Sequence, residues 1–291
     1  MSVATTTDSG RPPRPRGDGT PVLEAVGLKK AYGHGAKART VLGGIDFRVA
    51  PREFVCIVGH SGTGKTTLLQ CLSGLMRPTA GEVRFAGAPV TEPPPGMAMV
   101  FQDYSRSLLP WMSVRSNVVL PLKGKGVAKK EQQAIAAEVL GAVGLGAHAD
   151  KLPHELSGGM QQRVAIARAL AYRPEVMIMD EPFASVDAQT RADLEDLVLG
   201  LRRDYSSSVV LVTHDVDEAV YLGDRVVVLG GAPALVRRVE DTGLGESRDQ
   251  IETKALPRFA EVRANVMREI REQSASVARA TTGNSHEKDL P

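Results

Sequence analysis

Hydrophobic residues in this chain fall into two recurring patterns, and each predicts a different kind of element. Short, nearly continuous apolar runs have the length of strands that are buried on both faces of a sheet. They lie at 54–58, 97–101, 176–179, 208–213 and 225–229. Longer segments between them, such as 131–143 and 188–205, carry apolar residues on one helical face, which predicts amphipathic helices. Strands that alternate with helices predict an α/β fold around a parallel sheet.

The region before this alternation follows a different pattern. From 22 to 49, apolar residues alternate loosely with polar ones, and glycines interrupt the alternation at 33–35 and 43–44. This pattern predicts antiparallel strands joined by turns. Further along, 103–172 predicts a helical subdomain inserted between sheet elements. We expect its first part, 103–122, to form neither a strand nor a long helix.

The two ends of the chain predict little packed structure. Residues 1–20 and 274–291 are polar and rich in turn-forming residues, so we expect disordered tails. Apolar residues three or four apart predict a terminal amphipathic helix over 254–273. No run of about eighteen apolar residues occurs, and the first twenty residues lack the apolar core of a secretory signal. We therefore expect a chain that does not span a membrane by itself.

Composition narrows the classes of function. The 291 residues are 42% hydrophobic and 24% charged, as in an ordinary globular chain with one large domain or two small ones. The formal net charge of +2 shows no basic excess, so no nucleic-acid partner is expected. Cys56 and Cys71 fall inside a predicted strand and a predicted helix, which indicates buried thiols rather than a disulfide framework.

The segment 59–66 satisfies every fixed position of the phosphate-loop pattern G-x-x-x-x-G-K-[ST]. Its residues are Gly59, His60, Ser61, Gly62, Thr63, Gly64, Lys65 and Thr66, with Thr67 next in the following helix. The glycines let backbone N–H groups converge on phosphate oxygens. Lys65 would reach the β- and γ-phosphates, and Thr66 would place its hydroxyl on a magnesium ion. A predicted strand before the segment and a helix after it supply the context that this motif requires.

Polar residues follow three other predicted strands, where open α/β sheets bind ligands. They are Gln102, the pair Asp180 and Glu181, and His214. Asp180 can hold magnesium, directly or through water, and Glu181 can deprotonate a water for attack on the γ-phosphate. His214 could bond the γ-phosphate through a neutral imidazole. A solvated strand end is the alternative for Gln102, and a structural role is the alternative for His214.

A second glycine-containing segment, 156–163, precedes a predicted amphipathic helix. Ser157 is a candidate N-cap, and Gly158 and Gly159 leave the backbone open. A serine, open amides and a helix N-terminus make a candidate anion site. The pattern is common, so by itself it is weak.

Two aromatic residues allow two interpretations each. Tyr32, just before a predicted turn, could stack on a nucleobase or could be a local packing residue. Trp111, the only tryptophan, lies beside Leu108 and Leu109 in a proline-flanked segment. These apolar residues indicate either a docking surface or local core packing.

The order of these elements resembles the ATP-binding cassette (ABC) family over roughly residues 22–230. The resemblance implies a P-loop NTPase ABC-type nucleotide-binding domain over 21–253, with an antiparallel β subdomain and a helical subdomain. ATP would be the substrate and Mg²⁺ the metal. Met160 stands where the family usually has glutamine.

The resemblance also implies a head-to-tail homodimer. ATP would lie between the phosphate loop of one copy and the Ser157, Gly158 and Gly159 segment of the other. The resemblance implies that Tyr32 stacks on adenine and that His214 contacts the γ-phosphate. Gln102 would sense magnesium and the attacking water. Asp187 would lie in the loop that links the two sites.

Residues 100–114 and 213–219 are similar to the ATPase subunits of nitrate, sulfonate and taurine importers. In that subfamily the Leu108, Leu109 and Trp111 segment neighbours the groove that receives a permease's coupling helix. The implied function is ATP hydrolysis that powers solute uptake through a separate permease, at the cytoplasmic face of the membrane, with an extracytoplasmic solute-binding protein. Two alternatives stay open. One is a soluble ABC ATPase that acts as a mechanical switch on nucleic acid or the ribosome, and the other keeps the importer with a pyrimidine-type vitamin precursor as cargo.

Overall fold

The computed structural model describes residues 20–33, 35–103 and 107–283. The strands of this part of the chain are β1 (Leu23–Tyr32), β2 (Arg39–Val49), β3 (Phe54–Val58), β4 (Ala80–Phe85), β5 (Ala88–Pro89), β6 (Met97–Val100), β7 (Val176–Asp180), β8 (Ser208–Val212), β9 (Arg225–Gly230) and β10 (Leu235–Asp241). Its α-helices are α1 (Lys65–Leu72), α2 (Val114–Gly124), α3 (Lys129–Ala142), α4 (Gly158–Ala171), α5 (Ala188–Tyr205), α6 (Val216–Leu222), α7 (Glu252–Ala255) and α8 (Pro257–Gly283).

A largely parallel sheet forms the centre of the fold. Its strand order is β10-β9-β3-β8-β7-β6, and every neighbouring pair is parallel except β10 and β9. Phe54 and Cys56 of β3 pack in one hydrophobic core, whereas Val55 and Ile57 pack in another on the opposite face. This double burial explains the continuous apolar runs in the sequence and confirms the predicted α/β class. Cys56 and Cys71 are both buried free thiols.

A second sheet is antiparallel and has the strand order β2-β1-β4-β5. It packs on α1, the helix that follows the phosphate loop, through β1 and β2. β1 ends at Tyr32 and β2 begins at Arg39, which agrees with the predicted turn. His34, within that turn, lies outside the described residues. The antiparallel sheet therefore borders one side of the phosphate loop.

The predicted break at residues 43–44 is wrong, because β2 runs through both glycines. Leu28 of β1 pairs with Ile45, whereas the adjacent Lys29 pairs with Gly43. Gly44 is therefore the extra residue of a β-bulge, and its φ of 123° favours glycine. The sequence pattern of Gly43 and Gly44 suggests a turn, but these glycines lie at a bulge that bends a continuous strand.

The helical subdomain consists of α2, α3 and α4, which pack against one another. The expectation that 103–122 contains no long helix is wrong for its second half, since α2 has 11 residues. Ser113 caps α2 by accepting a hydrogen bond from the backbone N–H of Ser116. Val118 and Leu122 bury one face of the helix, so packing outweighs the cost of Pro121 in its interior.

The long helix α8 packs across one edge of the parallel sheet. Its apolar stripe of Phe259, Val262 and Val266 is buried, and the helix contacts α6, β9 and β10. We expected disorder from residue 274, but α8 continues to Gly283. The extra segment contains alanines and no proline, so a helix that packing has already fixed can propagate through it.

Residues 1–19 and 284–291 lie outside the described residues. Among the described helices, none combines the length and the apolar character that a membrane span requires.

Candidate active site

The phosphate loop connects β3 to α1, as predicted, and steric limits explain its glycines. A Cβ atom on Gly59 would lie 2.6 Å from the carbonyl oxygen of Leu229. Gly64, the N-cap of α1, has a φ of 91°, and a Cβ there would lie 2.7 Å from Cγ1 of Val41. Glycine is therefore required at both positions, and the loop's backbone lies close to its neighbours.

Lys65 is buried at the start of α1, and its ammonium group contacts the loop itself. Nζ donates hydrogen bonds to the carbonyl oxygens of Gly59 at 2.8 Å and His60 at 3.0 Å. Burial lowers the pKa of Lys65, because removal from water disfavours the charged form, while Glu181 and Asp180 oppose that shift. The positive charge is thus held at the centre of the loop, where phosphate oxygens could replace the two carbonyls.

Asp180, the last residue of β7, is buried beside α1. Burial raises its pKa, while a hydrogen bond from the Thr66 side chain lowers it. Its Oδ1 atom is buried and has no hydrogen-bond partner among the described residues. A buried carboxylate oxygen without a partner, next to a hydroxyl, is a donor set that suits Mg²⁺. The residues present therefore fit the predicted metal.

Three of the predicted site residues, each of which follows a different strand, meet at one carboxylate oxygen. His214 Nδ1 donates to Oε2 of Glu181 at 3.1 Å, and Gln102 Nε2 lies 3.3 Å from the same oxygen. Glu181 has a φ of 43°, in the left-handed region, and its backbone N–H donates to the carbonyl of Val212. This unusual backbone conformation turns the side chain toward its two partners at the sheet edge.

Tyr32 lies at the end of β1, next to α1. Its hydroxyl is 3.3 Å from Oγ1 of Thr67 and donates to Sδ of Met76 at 3.2 Å. The residue is 43% exposed. The contacts place the aromatic ring beside the phosphate loop, where a base could stack, and Nζ of Lys30 lies 5.5 Å from the centre of the ring.

Ser157, Gly159 and Asp187 form a second group. Ser157 caps α4 through Met160, which packs partly buried against the helical core. A Cβ on Gly159 would lie 2.4 Å from Cγ2 of Thr190. Asp187 caps α5 by accepting hydrogen bonds from the N–H and the hydroxyl of Thr190, and these bonds lower its pKa.

This second group is separate from the first in one copy of the chain. Within the described residues, no hydrogen bond or ion pair joins it to the phosphate loop. Gly158 and Ser157 are exposed at the start of α4. Their backbone N–H groups therefore point out of a helix N-terminus toward solvent, as an anion site requires.

Sequence reasoning missed several supporting residues. Asp215 caps α6 by accepting from the N–H groups of Asp217 and Glu218, and Arg191 of α5 pairs with it at 3.1 Å. The Asp at a strand-to-helix turn is a signal for the cap. The ion pair of Arg191 with Asp215 and the packing of Thr190 on Gly159 carry no such signal, because these partners are distant in sequence.

Comparisons with known proteins identify the family of the chain. A family model described as ABC transporter matches residues 42–184. The nitrate import ATP-binding protein NrtD of Synechococcus elongatus is 42% identical over 77% of this chain and 82% of its own length. The bicarbonate transport ATP-binding protein CmpD of Synechocystis sp. is 43% identical over 74% of this chain and 76% of its own.

The chain belongs to the ABC transporter family. A solved dimeric structure of the ATP-binding cassette MJ0796 with ADP and Pi is 32% identical, with a TM-score of 0.67, and covers 75% of this chain and 98% of that one. The predicted family, the ABC-type fold and the ATPase class are therefore confirmed. Some longer curated relatives match over only 34–35% of their own length. The roles of individual site residues stay predictions.

The contact between Gly159 and Thr190 yields a stability prediction. Gly159→Ala should lower the melting temperature by several degrees, because overpacking of this kind costs about 1–3 kcal/mol. Thr190→Ser in the same chain removes the opposing methyl but keeps the hydroxyl on Asp187, so it should restore the melting temperature. An unchanged melting temperature in Gly159→Ala, or no recovery in the double variant, would contradict the packing explanation.

Glu218 yields a pH prediction. Its pKa is raised to about 8, first by burial and then by repulsion from Glu195 and Asp215, against the opposing effects of Thr213 and Arg191. Because the folded state binds this proton more tightly than the unfolded state, the stabilisation is complete below pH 4.5 and is lost as the pH rises through about 8.

Glu218→Gln cannot ionise, so it should raise the melting temperature at pH 9 relative to the unmodified chain by about 3 °C or more, with a smaller effect at pH 6. Scanning calorimetry at the two pH values measures this. The exposed Glu92→Gln is the control and should change neither value. An equal shift at both pH values would show that Glu218 stays charged when folded.

Proposed function

We propose that this chain is the ATP-hydrolysing subunit of an importer and works as a head-to-tail dimer attached to a separate membrane permease. The observation that carries the proposal is the meeting of Gln102 and His214 at Oε2 of Glu181. This carboxylate follows the buried Asp180 at the edge of the sheet that carries the phosphate loop. A base, its two orienting partners and a phosphate cradle are the parts that hydrolysis of a phosphoanhydride needs.

Each of the site residues would have its own role in ATP hydrolysis. Lys65 would exchange its two loop carbonyls for oxygens of the β- and γ-phosphates. Glu181 would accept a proton from the attacking water, while Gln102 and His214 fix the orientation of the carboxylate. Thr66 and Asp180 would hold Mg²⁺, which would supply charge neutralisation on the phosphates. Catalysis would then rest on positioning and on charge stabilisation around the transferred group.

Dimer formation would complete the site. The exposed helix N-terminus at Ser157 and Gly158 has no phosphate to bind within its own copy, and it would cap the nucleotide of a second copy. Asp187 would lie between the two sites because it caps α5 beside Thr190, which packs on Gly159. Tyr32 would stack on adenine.

The segment 107–113 supports docking to a permease, with one correction to the prediction. Leu108 is buried in the helical core and cannot contact a partner, whereas Trp111 is 74% exposed. Buried Asn117 of α2 fixes this loop through the carbonyls of Leu109 and Met112 and the N–H of Leu109. An exposed tryptophan on a fixed loop is a typical interface anchor, since little entropy is lost on binding.

The same segment connects the docking surface to the reaction. Ser107 is held by Arg168 of α4 through its carbonyl and its hydroxyl. Gln102, at the Glu181 carboxylate, lies a few residues before it, with 104–106 outside the described residues. A movement of the helical subdomain could therefore reach Glu181 through a short piece of chain.

The cargo we propose is a small inorganic anion. The relatives above are named for nitrate import and for bicarbonate transport. Bicarbonate was absent from the cargoes that the sequence suggested, which were nitrate, sulfonates and taurine. A site at the cytoplasmic face of the membrane and an extracytoplasmic solute-binding protein follow from the importer function. No observation favours the switch on nucleic acid or the ribosome, or the vitamin-precursor cargo.

Glu181→Gln tests the catalytic assignment. The amide keeps the shape of the side chain but cannot accept the proton, so kcat for ATP should fall by about 100-fold or more. ATP binding should stay within about twofold, and the closed dimer should accumulate in size-exclusion chromatography with ATP. The exposed Glu131→Gln on α3 serves as control. Turnover within about fivefold of the unmodified chain would remove Glu181 from this role.

Trp111→Ala tests the docking surface. Loss of an exposed anchor residue at an interface typically costs about 2 kcal/mol or more, so recovery of a multi-helix permease from detergent-solubilised host membranes should fall several-fold. Quantitative mass spectrometry of the purified complex measures this. Leu75→Ala, another exposed apolar residue, is the matched control. Equal recovery with both variants would contradict docking at Trp111, and recovery of ribosomal or DNA-bound partners alone would overturn the importer function.

A further inference from the structure

His60 of the phosphate loop is bonded to the C-terminal helix. Its Nε2–H donates to the backbone carbonyl of Ile270 in α8 at 3.0 Å, across 210 residues of sequence. The acceptor is a main-chain atom, so its position depends on how α8 packs rather than on a side-chain rotamer. The contact therefore joins two elements that the sequence gives no reason to connect.

α8 is firmly placed near this contact. Val262 and Val266 are fully buried and lie about two turns and one turn, respectively, before Ile270. Gln273 occupies the space beside Gly230, where a Cβ would come within 1.4 Å of its side-chain oxygen. The preceding residue, Leu229, contacts Gly59 in the same close way. The start of the phosphate loop and Gln273 of α8 thus pack on the same end of β9.

The main chain of His60 carries the second half of the connection. Its carbonyl accepts hydrogen bonds from Nζ of Lys65 at 3.0 Å and from Oγ1 of Thr63 at 2.6 Å. The residue whose ring is held by α8 is therefore the residue whose carbonyl holds the phosphate-binding lysine. His60 therefore links the ammonium group of Lys65 to the C-terminal helix α8.

We infer that His60 is a positioning residue for the nucleotide phosphates and that α8 is the element that fixes it. Lys65 must leave the His60 carbonyl when phosphate oxygens arrive, and the loop must keep its shape during that exchange. The bond to Ile270 supplies a support that does not involve Lys65. A binding site that is held in shape beforehand loses less conformational freedom on binding and so binds more tightly.

This role differs from that of a residue that touches the phosphates. The ring of His60 acts through the backbone of its own loop, so its loss should weaken nucleotide binding more than the chemical step. The inference rests on the nucleotide-binding part of the proposed function and does not depend on transport, docking or cargo.

A pair of full-length variants separates the hydrogen bond from ring packing. His60→Leu removes the donor at similar size, and His60→Gln retains an N–H near the position of Nε2. Loss of one hydrogen bond corresponds to about a five- to tenfold change in an equilibrium constant. His60→Leu should therefore raise the Kd for Mg·ADP and the KM for ATP by about five- to tenfold, with kcat within about twofold. His60→Gln should stay within about twofold in all three.

A second pair tests whether the effect comes from α8. Val266→Ala loosens the packing of α8 one turn before Ile270, and Val139→Ala makes the same truncation at a buried site in α3. Val266→Ala should raise the Kd for Mg·ADP by about twofold or more, but it should have no further effect in a His60→Leu background, because both changes act through the same hydrogen bond and are therefore not additive. Val139→Ala should leave the Kd unchanged.

Three results would overturn the inference. They are unchanged ADP binding in His60→Leu, failure of His60→Gln to restore binding, and additive effects of Val266→Ala and His60→Leu. Failure of the unmodified chain to bind Mg·ADP would overturn it together with the nucleotide-binding function, and that outcome is distinguishable because it needs no variant. Melting temperatures measured on every variant separate a loss of binding from a loss of fold.

Discussion

The backbone N–H of Glu181 donates to the carbonyl of Val212 at 2.8 Å, and the active site depends on this one bond. It extends the parallel pairing of β7 and β8 one step beyond Asp180. The chain reverses there into a left-handed conformation that most residues avoid. Without the bond, the carboxylate would have no reason to face His214 and Gln102, since each of these follows a different strand.

Two ionisable side chains are buried close to that bond. Lys65 and Asp180 are both buried, and burial shifts their pKa values in opposite directions, each toward the neutral form. The two side chains do not satisfy each other. Nζ of Lys65 donates to loop carbonyls, and one carboxylate oxygen of Asp180 has no hydrogen-bond partner among the described residues. A magnesium nucleotide would bring the opposite charge to each of them.

The helical subdomain and α8 act on this site from two sides. Arg168 holds Ser107 and Asn117 holds Leu109, so residues of the subdomain fix the chain a few positions after Gln102. α8 reaches the phosphate loop through His60 from the edge of the sheet. The site is therefore supported by elements that lie far apart in the sequence but that pack on one sheet.

The sequence by itself determined the phosphate loop, the buried strands, the polar residues at their ends and the ABC family. These features are local, because strand burial leaves continuous apolar runs and a phosphate cradle needs glycines at fixed spacings. Tertiary structure decided the rest. The bulge at Gly44, the helix across Pro121, the burial of Leu108, the space that Thr190 leaves for Gly159 and the bond from His60 to Ile270 all depend on partners distant in sequence. Local propensity carries no information about such partners, since packing sets them only after the chain has folded.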